Sequence, residues 1–288
     1  MTALPDGDRF LPSQTAADRA ADYPYLAPQG AFVLDHGQLR VLDDAALLAG
    51  RTAVLSVGSN RAPVQLLRKF GHDAVLPVTP AILHDCDIVH NAAVSYYGAV
   101  SCTAFPSAGT DVLLNIAWLD DDQLTTMHAT EAVGIAYDYV RIFAGVVTHL
   151  PVLAAGGDIV PASQPVFGYS SRSGVLDAGG GRPAGLAAIG ARNRRFQTLS
   201  QASVAALVAT RAGCPARSPV ADFIAGLVDD PKARKALNRT LAADALQADG
   251  PWRVQSVDGE NAGAYLCCLL YTSPSPRDAT LSRMPSSA

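Results

Sequence analysis

The stretch that decides the fold of this chain is Thr52-Ala-Val-Leu-Ser-Val-Gly-Ser-Asn60. Its first six residues form a short apolar run, which predicts a buried strand. Gly58 and Ser59 are typical of a tight turn, and the Asn60 side chain is expected to cap a helix that begins near Pro63. Four apolar residues of that helix recur with helical spacing and predict one buried face: Pro63, Leu66, Leu67 and Phe70.

A second informative segment ends at Glu131. Three aspartates at 120–122 open it and predict a helix N-terminus, because carboxylates accept hydrogen bonds from the free amides there and suit the helix dipole. Glu131 shares a helical stripe with Leu124, Met127 and His128. A carboxylate on an apolar stripe lies either at the helix end, in water, or in a pocket. His128 is interpreted as a core histidine, with tuning of the neighbouring carboxylate as the alternative.

Strands and helices interleave along the rest of the chain without regular alternation, which predicts the α+β class rather than a doubly wound sheet. Further strands are expected near 75–78, 92–97, 100–104, 112–119, 137–147 and 186–191. Further helices are expected at 200–211, 219–228 and 231–248. The chain is accordingly divided into an N-terminal extension (1–45), an α+β domain (46–210), a helical C-terminal region (211–266) and a final segment (267–288).

The composition excludes several classes of protein. Of 288 residues, 49% are hydrophobic and 17% charged, a balance that excludes a disordered chain. With 22 Lys and Arg against 26 Asp and Glu and no basic block, the chain offers nucleic acid or an anionic membrane no surface to bind. No apolar run approaches the roughly 18 residues of a spanning helix. The first residues do not combine a basic stretch with a following apolar one, as an export signal does, so a cytoplasmic location is expected. The five cysteines are irregularly spaced and predict no disulfide framework.

The last residues differ in character from the rest. From Cys268 to Ala288 the chain has no helical or strand period, and three prolines interrupt it. The segment resembles one reading frame of a transposase-type DNA sequencing adaptor, with two matching blocks separated by a short index-like gap. We therefore exclude residues 268–288 from the fold prediction, and Cys267 at the junction is ambiguous.

Several motifs together resemble the gamma-glutamylcyclotransferase family. The matching positions are Gly58-Ser-Asn after a strand, Thr103-Ala-Phe-Pro106, Gly109-Thr-Asp-Val before the Trp118 strand, and Glu131 near a helix end with Tyr137 and Tyr139 downstream. The resemblance covers residues 52–208. It implies a mixed β-barrel or sheet with flanking helices, to which the C-terminal helices are an extension.

The resemblance also implies a reaction. In this family the free α-amine of a γ-glutamyl group attacks its own γ-carbonyl, which releases the attached amine and forms 5-oxoproline. A single carboxylate can carry both protons if partial burial lifts its pKa toward the working pH. The resemblance assigns that role to Glu131, makes the ligand a small γ-glutamyl substrate, and implies no metal or cofactor. It assigns substrate binding to five residues, with backbone amides of the turn holding the substrate: Val57, Gly58, Ser59, Asn60 and Tyr137.

Three departures from the family pattern put the substrate in question. Val57 stands where the family has an aromatic residue, Ala132 stands where it often has Gly, and no tyrosine is found near Arg182. One alternative is therefore a non-catalytic relative that binds a small ligand or a protein. Another is hydrolysis, or acyl transfer to a second amine, on the same scaffold.

The other chemistry-bearing residues have weaker patterns. Residues of metal-ligand type lie close together without an established zinc spacing at His84, Cys86, Asp87 and His90. Ser59 lacks the Gly-x-Ser-x-Gly motif of a hydrolase nucleophile. A helix cap explains the aspartates at 120–122 without a bound cation. Two cysteines are interpreted as small buried hydrophobes: Cys102 and Cys214.

Overall fold

The computed structural model describes residues 2–154, 157–159, 161 and 164–257. The adaptor-like segment 268–288 and Cys267 lie outside these described residues. Six α helices are found within them: α1 (Ala16–Ala21), α2 (Pro63–Phe70), α3 (Asp121–Thr130), α4 (Gln201–Arg211), α5 (Val220–Asp229) and α6 (Pro231–Ala243).

The described strands are β1 (Phe32–Asp35), β2 (Gln38–Arg40), β3 (Thr52–Ser56), β4 (Val75–Val94), β5 (Val100–Leu119), β6 (Tyr137–Ile142), β7 (Val147–His149), β8 (Val166–Ser171), β9 (Gly185–Leu186), β10 (Ala191–Arg192), β11 (Thr198–Leu199) and β12 (Trp252–Val254). They form one sheet whose main path is β11-β9-β4-β5-β3-β8-β6-β12. Most neighbours are antiparallel, but β3 pairs with β8, and β9 with β11, in parallel. The sheet is therefore mixed, and with the helices it confirms the predicted α+β class.

The longest feature of the sheet is the hairpin of β4 and β5, each 20 residues long. Its tight turn is closed by the Ser95 amide donating to the Ala99 carbonyl at 2.7 Å, with Gly98 at a φ of 90°. The sequence predicts four shorter strands here and extends one of them into Tyr96 and Tyr97, which lie in this turn. The pairing register shifts after His84 and after His90, and such bulges break the period of two from which a strand is predicted.

The loop that follows β3 lies at the end of a central strand. β3 is paired on one side with β5 and on the other with β8, as expected for a strand whose residues are nearly all buried. A short 3-10 helix, Ser59–Arg61, connects it to α2, which begins at Pro63 as predicted. The N-cap of α2 is Ala62, however, so the prediction that Asn60 caps this helix is wrong. The Asn60 side chain has another partner, described below.

Helix α3 has the predicted N-terminus. The Asp120 carboxylate accepts from the Gln123 amide at 2.9 Å, and the Gln123 side chain in turn accepts from the Asp120 amide at 3.2 Å. This capping box satisfies two of the free donors at the helix start. The helix ends at Thr130, so Glu131 is its C-cap residue. Met127 and His128 are buried, which fixes the rotation of the helix and the direction in which Glu131 leaves it.

The C-terminal helices pack on the turn end of the long hairpin. Ser200 caps α4 as predicted, with its hydroxyl accepting from the Ser203 amide at 3.1 Å. Apolar side chains from α4, α5 and α6 share one buried cluster with β4, β5 and the segment after β8: Ala92, Val94, Val100, Leu176, Val204, Val208, Leu227 and Leu241. This packing holds α6 beside the end of β4.

The first residues of the chain also join the main sheet. The β1–β2 hairpin pairs with β4 through β1, with Phe32 opposite Val78. Tyr23 lies in the main core cluster, at 5% exposure. Among the described residues, no helix combines the length and the apolar character needed to cross a lipid bilayer.

Candidate active site

The structure brings the sequence-predicted site residues to a single cavity of about 830 Å³. It lies where the end of β3, the start of β6, the end of α3 and one face of α6 meet. All six predicted residues line it: Val57, Gly58, Ser59, Asn60, Glu131 and Tyr137. These residues are up to 80 positions apart in the chain, so their meeting is a property of the fold.

Glu131 is the one acidic residue among the described lining residues of this cavity. Its side chain is 13% exposed. One carboxylate oxygen, Oε1, accepts from Asn60 Nδ2 at 3.0 Å and forms an ion pair with Lys69 Nζ. No described residue donates a hydrogen bond to the second oxygen, Oε2. The carboxylate is therefore held by one oxygen and can use the other toward a ligand.

Lys69 is a site residue that the sequence prediction missed. Its side chain is only 6% exposed, and its ammonium group lies 3.3 Å from the Met127 sulfur as well as on Glu131. In the sequence it follows Arg68 in the last turn of α2, where cations usually complement the helix dipole in solvent. The sequence feature that could have identified Lys69 is its position three residues after Leu66, at the edge of the apolar stripe of α2.

The space around Gly58 leaves no room for a side chain. A Cβ atom at this position would lie 2.6 Å from the Tyr23 hydroxyl and 2.7 Å from Cys102 Sγ. The Tyr23 hydroxyl donates to that sulfur at 3.1 Å. Both side chains are buried, so neither can move aside easily. Tyr23 thus brings an aromatic hydroxyl from the N-terminal extension to the Gly58 loop, in the wall of the cavity.

Tyr137 is held by a second network behind the carboxylate. Asn91 Nδ2 donates to the Tyr137 hydroxyl at 2.8 Å and to Ser101 Oγ at 2.9 Å. The same hydroxyl donates to the Cys102 carbonyl at 3.3 Å. Burial, together with the nearby charge of Glu131, raises the pKa of Tyr137, so its phenol stays protonated.

Cys102 does not have the properties of a nucleophile. Burial raises the pKa of its thiol to about 12, and the thiolate is the reactive form. Cys102 is 2% exposed, in agreement with the sequence interpretation of a small buried hydrophobe, whereas Cys214 is only partly buried. The thiol therefore serves to pack the Gly58 loop.

Two amide oxygens in the cavity wall have no hydrogen-bond donor among the described residues. These atoms are Oδ1 of Asn60 and Oδ1 of Asn91, and both are buried. Buried polar atoms nearly always have a partner, and an amide oxygen can accept only from a donor. The cavity wall is therefore suited to a ligand with N–H groups. Asn91 carries no motif in the sequence that could have identified it.

Ala132 adopts the backbone conformation that the family pattern leads one to expect of glycine. Its φ is 50°, in the left-handed region that non-glycine residues rarely occupy. It follows Glu131 directly, where it turns the chain out of α3 toward Gly134, itself at a φ of 81°. Residue 132 thus has a backbone conformation that glycine adopts more readily than alanine.

The weaker sequence candidates have partners outside the cavity. His84 Nδ1 lies 2.7 Å from Asp111 Oδ1, Asp87 forms an ion pair with Arg194 at 2.8 Å, and His90 Nε2 lies 3.1 Å from the carbonyl of residue 199. Within the part of the chain that the structure describes, no group of three His, Cys, Asp or Glu side chains is arranged to hold a metal ion.

His128 is buried, as the sequence interpretation of a core histidine expects. Its Nδ1 lies 2.9 Å from the Tyr169 hydroxyl, and its ring packs edge-on against Tyr139 with centroids 4.5 Å apart. Burial lowers the pKa of this imidazole. His128 is therefore a neutral residue in the packing between α3 and the tyrosines of β6 and β8. It does not line the cavity.

Comparison with known proteins gives a limited result. No family model and no curated protein matches the sequence. Among solved structures, a gamma-glutamyl cyclotransferase is similar at 13% identity and a TM-score of 0.29, covering 75% of this chain and 98% of that one. An uncharacterized human protein is similar at the same identity and TM-score, covering 75% and 99%.

Proposed function

We propose that this chain is a gamma-glutamylcyclotransferase-like enzyme, a transferase that converts a γ-glutamyl amine or dipeptide to 5-oxoproline and the free amine. The observation that carries the proposal is the state of the Glu131 carboxylate. Asn60 and Lys69 hold its Oε1, while Oε2 has no described donor inside a cavity large enough for a dipeptide. A carboxylate anchored on one oxygen is oriented for proton transfer through the other.

The reaction requires two proton movements that one carboxylate can perform in turn. The substrate ammonium first gives a proton to Glu131, and its nitrogen then attacks the γ-carbonyl carbon. A new C–N bond forms, and the second proton leaves that nitrogen as the ring closes. The bond to the leaving nitrogen breaks as that nitrogen takes the first proton back from Glu131, and the freed amine takes the second proton to become an ammonium ion. The two protons that the substrate ammonium loses are thus the two that the leaving amine gains, and no metal or cofactor is needed.

The unpaired amide oxygens support an ammonium group as the part of the substrate bound nearest to Glu131. Asn60 Oδ1 and Asn91 Oδ1 can accept two of its N–H bonds, and Glu131 can accept the third. The Ser59 and Asn60 amides, in the turn after β3, would then face the α-carboxylate or the γ-carbonyl oxygen. Tyr137, protonated and fixed by Asn91, would form the wall beside them.

The test is direct assay of the purified protein against a panel of γ-glutamyl amines and dipeptides, with 5-oxoproline measured by mass spectrometry. We expect 5-oxoproline and the free amine in equal amounts from at least one substrate. Glu131→Gln should lower kcat by about 100-fold or more, because general acid–base catalysis typically contributes that much. Asp122→Asn, an exposed change on the same helix, is the matched control. Turnover by Glu131→Gln at the wild-type rate would refute the assigned mechanism, and release of glutamate would indicate hydrolysis.

The ion pair with Lys69 favours one other candidate, a non-catalytic relative that binds a small amine-bearing ligand. A buried Lys–Glu pair can be a purely structural element of a binding pocket. This candidate predicts no 5-oxoproline from any γ-glutamyl compound together with measurable binding of one. We place either activity in a reducing compartment such as the cytoplasm, because Cys86, Cys102 and Cys214 are free thiols.

A further inference from the structure

The cavity is lined by many more cationic than acidic side chains. Seven of the 22 Lys and Arg side chains of the chain line it, against one of the 26 Asp and Glu side chains, Glu131. The whole chain has a formal net charge of −4, so this excess of cations is a local property of the cavity. Because Lys69 already pairs with Glu131, the other cations have no acidic counterpart among the described lining residues.

Most of these cations come from α6. Lys232, Lys235 and Arg239 lie at i, i+3 and i+7, which places them on one stripe of the helix, and all three line the cavity. No described acidic side chain forms an ion pair with any of them. Arg234 differs, since its guanidinium donates to the Leu227 carbonyl at the end of α5 at 2.6 Å. Three cations of the stripe therefore remain available to a ligand.

The stripe is held firmly against the sheet. Asn238, on the same face of α6, accepts from the Val94 amide at 2.8 Å and donates to the Val94 carbonyl at 3.0 Å. One side chain thereby pairs with both backbone groups of the last residue of β4. Leu241, 3% exposed, anchors the next turn of the helix. The position of α6 is therefore set by packing, and its three exposed cations are presented along one side of the cavity.

A further cation comes from α1. Arg19 donates from Nη2 to the Tyr96 hydroxyl at 2.9 Å, and its guanidinium lies over the Tyr97 ring at 5.0 Å. Its Nε is buried and has no acceptor among the described residues. A buried guanidinium N–H without a partner is suited to an anionic acceptor. Arg19 lines the same cavity as the α6 stripe.

We infer that α6 and Arg19 form a subsite for an acidic group on the leaving amine of the substrate. This inference rests on the proposed function and names its substrate class, which is γ-glutamyl amines whose amine part carries two or more negative charges. Glu131 and the asparagine oxygens take the ammonium end, and the cationic wall takes the other end. Either a second carboxylate or a phosphate has the required charge.

The experiment compares pairs of substrates that differ only in charge. γ-Glutamylglutamate is compared with γ-glutamylglutamine, and γ-glutamyl-O-phosphoserine with γ-glutamylserine. We expect kcat/KM to be about tenfold higher for the acidic member of at least one pair, and the ratio to fall as salt rises, because charge-assisted contacts at a partly exposed wall are screened. The pair with the larger ratio identifies carboxylate or phosphate as the preferred group.

Variants of α6 test whether its three cations cause the higher kcat/KM for acidic substrates. The triple change Lys232→Gln, Lys235→Gln and Arg239→Gln should bring the acidic-to-neutral ratio close to one. Arg217→Gln, which removes one exposed cation outside the cavity, should leave the ratio unchanged. A wild-type ratio near one, or a ratio that the triple variant keeps, would overturn the inference while leaving the cyclotransferase proposal intact.

Failure of the proposed function is separated from failure of the subsite by a binding measurement. If none of the four dipeptides yields 5-oxoproline, the cyclotransferase proposal fails. Titration calorimetry of the wild-type protein with the same dipeptides then decides about the subsite. Binding of an acidic member about tenfold tighter than its neutral partner, lost in the triple variant, supports it. Equal affinities for both members of each pair overturn it.

Discussion

Lys69 and Glu131, 62 positions apart in the chain, form a buried ion pair at the floor of the cavity. The lysine comes from the last turn of α2 and the glutamate from the C-cap of α3, and the two helices are in contact. Both side chains are largely removed from solvent, so each charge depends on the other for its compensation. The geometry of the proposed catalytic carboxylate is thus tied to the packing of two helices.

We predict that Lys69→Met destabilises the protein by about 3 kcal/mol, because it leaves the Glu131 charge buried without a cation. Urea unfolding followed by circular dichroism measures this. The double variant Lys69→Met/Glu131→Gln should recover much of the loss, since it removes both charges. A single variant as stable as the wild type would show that the pair is not desolvated in solution.

The hydrogen bond from Asn60 to Glu131 is expected to matter for activity. Asn60→Ala should lower kcat/KM by about tenfold, because the carboxylate loses one of its two anchors. Asn60→Asp should be worse than Asn60→Ala, since it puts a second negative charge within hydrogen-bonding distance of the first. Steady-state assays with one γ-glutamyl dipeptide compare the two. Equal activity of the aspartate and alanine variants would contradict the described contact.

Gly58→Ala is expected to destabilise the protein by about 2 kcal/mol through overpacking. The added methyl group would lie 2.6 Å from the Tyr23 hydroxyl and 2.7 Å from Cys102 Sγ. Gly190→Ala is the matched control, because a Cβ there meets nothing within 4 Å. Thermal unfolding measures both. Adding Cys102→Ala should restore part of the stability lost in Gly58→Ala, and no restoration would argue against this account of the clash.

Ala132→Gly is expected to stabilise the protein by about 0.5–1 kcal/mol. Ala132 has a φ of 50°, and an L-residue with a Cβ pays for this left-handed conformation, whereas glycine does not. The measurement is again urea unfolding, with activity assayed in parallel. Ala129→Gly, inside α3, is the control and should be destabilising by a similar amount. Loss of stability in Ala132→Gly would mean that residue 132 is not in the left-handed region.

The buried histidines predict a dependence of stability on pH. Burial lowers the pKa values of His90, His128 and His149 below the ordinary value of 6.5. The unfolded chain therefore binds more protons than the folded one below that value. Stability should be level above about pH 7 and should fall by roughly 1 kcal/mol or more as the pH drops to about 5.

His90→Gln tests this dependence, since His90 is fully buried. Its profile between about pH 7.5 and 5 should be shallower than that of the wild type, though not flat, because the other two histidines still titrate in the same direction. Urea unfolding midpoints at each pH provide the measurement. If the stability of His90→Gln depended on pH as steeply as that of the wild type, the His90 imidazole would not contribute to the pH dependence.

Local signals predicted the elements around the site well. The apolar stripe of α2 and the aspartates before α3 identify these helices, because amphipathic spacing and N-terminal caps act within one or two turns. Glu131 stood out as a carboxylate on an apolar stripe. The long hairpin was seen only in pieces, since register shifts near His84 and His90 interrupt the alternation by which strands are recognised.

The sequence by itself determined the α+β class and the starts of α2 and α3, because apolar spacing and N-terminal residues act between positions close together in the chain. Glu131 and the 58–60 loop were proposed as site residues from the resemblance of several such local motifs to one family. Only the tertiary structure decided that Lys69 pairs with Glu131, that Tyr23 packs on Gly58, and that the basic stripe of α6 faces the same cavity. Lysines and arginines on a helix have the same pattern whether they face solvent or a cavity. The difference arises from packing between distant segments, which no local spacing records.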